Sequence, residues 1–119
     1  PDDQAAQSAP GLLTKHYSPK AKVRLLPHGD TRPLSEHTES DAKTALVLNQ
    51  KPTWHTTEHS TFWLSESGDL SEIAHNLFEL IQRLDQQNVQ QILIEQVPEL
   101  GIGLAINDRL RRAAAKLEV

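Results

Sequence analysis

The chain has no cysteine and no methionine among its 119 residues. Disulfides, thiolate metal sites and cysteine nucleophiles are therefore excluded, although the lack of cysteine says nothing about compartment. Aromatics are scarce, with a single tyrosine, two tryptophans and two phenylalanines. No apolar run approaches the roughly 18 residues of a membrane span. Residues 1–8 lack the apolar core of a signal peptide. A chain that begins at Pro1 without methionine reads as a processed product or an excised piece of a longer protein. Gly-x-Ser-x-Gly elbows and phosphate-binding Walker loops are also missing, so no catalytic residue is assigned.

The charge is uneven. Residues 1–34 carry five Lys/Arg against three Asp, and residues 35–119 carry seven against thirteen Asp/Glu. The net charge is −4. The basic excess lies around Lys15, Lys20, Lys22 and Arg24. An acidic domain of this kind is not expected to bind nucleic acid directly.

Residues 1–10 are small and polar, without periodicity. Four short apolar runs follow at 22–27, 44–49, 60–65 and 91–96, and each reads as a strand. "ALVL" and "ILI" do not alternate, which suits strands buried on both faces. The stretch 28–43 is rich in Gly, Pro, Ser and Thr. It reads as a loop, with a short helix near 35–43. Asp69, three residues before Glu72, is placed to cap a helix. Apolar residues then recur at Leu70, Ile73, Leu77, Phe78, Ile81 and Leu84, a single helical face that stops near Asn88. A last helix follows from Ile102, with its cations late, where they complement the dipole. Strands alternating with helices predict an α/β fold with a mostly parallel sheet of about four to five strands flanked by helices. The boundaries expected are 1–21 for a leader or linker and 22–119 for the domain.

Two stretches are candidate sites. In "PELGIGLAINDRLRR" the chain passes from a strand into a helix through Gly101 and Gly103. The carboxyl ends of parallel strands hold ligands in open α/β sheets, and helix N-termini attract anions. The glycines also suit plain tight packing. Asn107 and Arg109 are candidate ligand or partner contacts. In "APGLLTKHYSPKA" Pro10 and Pro19 stiffen a segment that carries Gly11, Lys15, His16 and Tyr17. His55 and His59 lie in a threonine-rich loop, so their spacing is not that of a helical metal pair, and no metal site is expected. The residues leave two further readings open. One is an independent nucleotide- or phosphate-binding module using the 97–103 turn. The other is a docking or dimerisation domain using the Asn107–Arg112 surface.

"PGLLTKHYSPKAKVRLL" resembles the interdomain linker and first strand of the two-domain L-threonylcarbamoyladenylate synthases. "PELGIGLAINDRLRRAA" resembles the end of that family's chain. Pro10, Gly11, Lys15, His16, Tyr17, Ser18 and Pro19 match the linker, whereas Ala9, Leu12, Leu13 and Thr14 depart from it. Gly101, Gly103, Ala105, Asn107, Arg109 and Leu110 match the terminal pattern. The resemblance implies a C-terminal accessory or regulatory domain, Rossmann-like in fold, that is inactive without its partner, a YrdC-like catalytic domain of the same parent chain. The family joins threonine, bicarbonate and ATP into threonylcarbamoyl-AMP, used in N6-threonylcarbamoyladenosine modification of tRNA. The implied cofactors, ATP with magnesium, belong to the parent enzyme, with none in this fragment. The implied location is cytoplasmic, without a membrane anchor.

Overall fold

Four strands form one parallel sheet: β1 (Lys22–Leu26), β2 (Thr44–Gln50), β3 (Thr61–Ser65) and β4 (Gln91–Glu95). The computed structural model describes residues 19–37, 43–54 and 60–115. The order across the sheet is β1-β4-β2-β3. β4, the last strand in sequence, is therefore flanked by β1 and β2. Gln91 lies opposite both Lys22 and Thr44.

The helices are α1 (Leu70–Gln86) and α2 (Ile102–Ala115). Both pack on the face of the sheet that carries Val23, Ala45, Val47, Ile92 and Ile94. α1 buries Ile73, Leu77, Leu80, Ile81 and Leu84 there. Each such side chain contributes on the order of 2 kcal/mol by leaving water. Leu80 widens the expected stripe, while Leu70 and Phe78 sit at its half-buried margin. The opposite face is built from leucines. Leu26, Leu46, Leu48 and Leu93 are buried there, with Leu34 and Trp54 packed against them. The Trp54 indole donates to the Thr31 carbonyl at 2.7 Å, tying the two loops over that face together.

Local chemistry sets the element ends. Asp69 Oδ2 accepts the Glu72 amide at 2.9 Å, which satisfies one free donor of α1. Asn88 has φ +63°. The Asn88 and Val89 amides close onto the Asp85 and Leu84 carbonyls at 3.1 and 3.2 Å, a Schellman ending. The short helix expected near 35–43 is, within the described residues, one 3-10 turn at Leu34–Glu36. β1 ends at Leu26, since Pro27 offers no amide to a ladder. No described helix is long and apolar enough to cross a membrane.

Candidate functional site

The carboxyl ends of the strands converge on Glu95, the last residue of β4. It lies two residues after Leu93, hence on the leucine face, and is only 3% exposed. Its Oε2 accepts the Gly29 amide at 2.8 Å and its Oε1 the Asn49 amide at 2.9 Å. One carboxylate thus joins the ends of both strands that flank β4. His28 Nδ1 faces Glu95 Oε2 at 3.4 Å, the Gln96 carbonyl at 3.2 Å and Asn49 Nδ2 at 3.2 Å. The buried Asn49 donates to the Gln96 carbonyl at 2.9 Å. Nearby, Arg32 grips both oxygens of Asp30 at 2.9 and 3.1 Å. The Arg32 guanidinium holds the Asp30 carboxyl below its ordinary range.

The turn after β4 and the first half of α2 carry three of the residues singled out from the sequence. Gly101 has φ +54°. A Cβ on Gly103 would lie 2.0 Å from the Pro98 carbonyl oxygen, so close packing demands glycine there. Asn107 is 1% exposed. Its Oδ1 accepts the Val97 amide at 2.9 Å, and its Nδ2 donates to the Val97 carbonyl at 2.7 Å and to Glu99 Oε2. Arg111 lies 3.7 Å from the same Glu99 oxygen. The Asn107 amide is therefore engaged in holding the turn. Arg109 stands apart from it, 5.5 Å over the Phe78 ring of α1.

At the opposite end of the sheet the chain enters β1 through the buried Pro19. Asp85, near the end of α1, accepts the Lys20 amide at 3.1 and 2.9 Å and the Ala21 amide at 3.0 Å. The other linker residues Pro10, Gly11, Lys15, His16 and Tyr17 lie outside the described residues, as do His55 and His59. Among the described residues no group of three or more His, Asp or Glu side chains could hold a metal ion.

Glu95, Asn49, His28 and Asp85 were not singled out from the sequence. Two signals existed. Glu95 is a lone acid in phase with Leu93, and Asp85 falls four residues after Ile81, on the buried stripe of α1.

Compared with known families, residues 1–115 match the family described as threonylcarbamoyl-AMP synthase, C-terminal domain. The chain belongs to this family. Threonylcarbamoyl-AMP synthase from Pyrococcus abyssi is 32% identical over 113 residues, which cover 89% of this chain and 32% of that protein. The Schizosaccharomyces pombe enzyme is 35% identical over 118 residues, covering 89% of this chain and 29% of its own. This member of the C-terminal domain family thus spans about a third of the length of the curated relatives it matches. Among solved structures, P. abyssi Sua5 complexed with L-threonine superimposes with a TM-score of 0.65 at 30% identity, over 84% of this chain and 30% of that one. A variant of the same protein, with a neighbouring histidine and tyrosine replaced by alanine, gives 0.62 at 28% identity over 82% and 28%.

Proposed function

We propose that this chain is the accessory C-terminal domain, with its interdomain linker, of a threonylcarbamoyl-AMP synthase. It works with a YrdC-like catalytic domain of the same parent, in the cytoplasm, on the route to threonylcarbamoyladenosine in tRNA. The observation that carries this reading is the span of the match: nearly the whole of this chain, but only about a third of each relative. The substrates are threonine, bicarbonate and ATP. ATP and its magnesium are handled by the catalytic domain, which also contributes the transferase chemistry.

The linker residues Pro10, Gly11, Lys15, His16, Tyr17 and Pro19 act as a cover over the catalytic cleft. His16–Tyr17 contains the only tyrosine of the chain, so it is the one pair here that can answer to the histidine and tyrosine changed in the variant relative. A cover of this kind excludes water from a labile carbamoyl intermediate and orders the substrates before reaction. The domain's part is to hold the linker's exit in place, which the Asp85 contacts to Lys20 and Ala21 support.

The test is pyrophosphate release from ATP with threonine and bicarbonate present. The purified 119-residue chain is expected to give none and the parent protein robust turnover. Turnover by the fragment alone would overturn the reading. An independent phosphate site at Gly101–Gly103 is disfavoured. The Leu100, Gly103 and Leu104 amides bond within the turn itself, and Glu99 places a carboxylate beside it.

A further inference from the structure

Seven of the ten described Lys and Arg side chains have a partner. Arg32, Arg83, Arg111 and Arg112 face carboxylates. Lys43 donates to the Gln87 carbonyl, and Lys51 and Arg109 lie over the Trp63 and Phe78 rings. The exposed side chains of Lys20, Lys22 and Arg24 have none among the described residues. In a chain of net charge −4, the described cations without a partner are gathered on one strand and its entry.

Among the described residues that strand is an edge: its one strand neighbour there is β4. The Lys22 amide bonds to the Gln90 carbonyl, and the Leu26 carbonyl accepts the Gln96 amide, both at 2.9 Å. Along a parallel ladder, both main-chain groups of one residue point to one side, and the side alternates. Lys22, Arg24 and Leu26 therefore face β4, while Val23 and Leu25 turn their N–H and C=O groups outward. Side chains alternate as well. Val23 enters the helix-side core, and Lys22 and Arg24 project from the other face, roughly 6.6 Å apart. A groove of about 390 Å³ runs beside this edge, with Ala114 and Ala115 of α2 along it and Arg111 at its rim.

We propose that this edge docks an extended acidic segment of a partner protein as an added strand. Its acidic side chains alternate with small apolar ones, the acids facing Lys22 and Arg24 and the apolar residues lying over Ala114 and Ala115. The outward N–H and C=O groups call for another peptide backbone, because a polyphosphate has no donor for the Val23 and Leu25 carbonyls. The same-face spacing of the cations sets the alternation. Opposite charges across a strand pair stabilise it, and like charges oppose it. A second copy pairing through its own β1 would bring cation against cation. Edge lysines also discourage indiscriminate strand pairing, so they weaken apolar partners while strengthening an acidic one.

The test uses the 119-residue chain and two labelled peptides of equal composition, Thr-Glu-Val-Glu-Val-Glu-Thr and Thr-Glu-Glu-Glu-Val-Val-Thr. The alternating peptide is expected to bind about tenfold tighter by fluorescence anisotropy. It should also slow amide exchange at Val23 and Leu25, and N-methylation of the amides that face β1, those of the valines in an antiparallel pairing and of the glutamates in a parallel one, should abolish the effect. Lys22→Glu with Arg24→Glu should weaken binding by at least about tenfold, with Lys22→Gln as a milder variant should the reversal unfold. Equal binding of the two peptides, no binding at millimolar peptide, or unchanged exchange at Val23 and Leu25 would each overturn the proposal. So would an oligouridylate of equal charge that competes without touching those amides.

Discussion

Asp30 is a residue whose titration the fold has moved. Arg32 donates two hydrogen bonds to its carboxylate, and His37 Nε2 lies 3.8 Å away. The carboxyl is therefore held below its ordinary range, first by the Arg32 hydrogen bond. A folded value below the unfolded one gives stability that is present above about pH 3.9 and is lost as pH falls through the folded value. Both partners touch water, so the contribution is small. Arg32→Ala should raise the Asp30 midpoint toward the ordinary value in a carbon-detected NMR titration. An unmoved midpoint would contradict the assignment. Other polar residues were legible only in part. Asp85 and Glu95 interrupt apolar registers, and that marks them as buried. Their partners could not be read, because Gly29 and Lys20 lie more than sixty residues away in sequence.

The elements themselves were largely written in local chemistry. Asp69 and Asn88 bracket α1 through contacts within a few residues, so both ends could be read directly. The 3-10 turn could not, because short polar residues and Pro33 support several turn geometries equally. The two glycines after β4 have different duties, which substitution separates. Gly103→Ala drives a Cβ into the Pro98 carbonyl and should cost about 3 kcal/mol or more. Gly101→Ala meets open space and bears only its positive φ, about 1–2 kcal/mol. Urea denaturation of the two variants should rank them in that order, and the reverse order would refute the packing argument.

For the whole molecule, the parallel α/β class followed from apolar runs alternating with helical periods, but the strand order did not. Runs such as "ALVL" and "ILI" report burial on both faces without naming a neighbour. The order places one buried carboxylate at each end of the sheet, Asp85 below β1 and Glu95 above β4. Asp85→Ala leaves the amides it bonds unpaired and should destabilise the fold by about 3 kcal/mol. Amide exchange at Ala21 should quicken more than at Ile94, and equal acceleration would show that the tie is not local. The strand order also imposes a schedule on synthesis. Among the described residues β1 has β4 as its only strand neighbour, so it must wait for that partner while some sixty-five further residues leave the ribosome. Such long-range pairing is slow to form. The entry to β1 at Pro19 is therefore fixed only once β4, about four-fifths of the way along the chain, has been made.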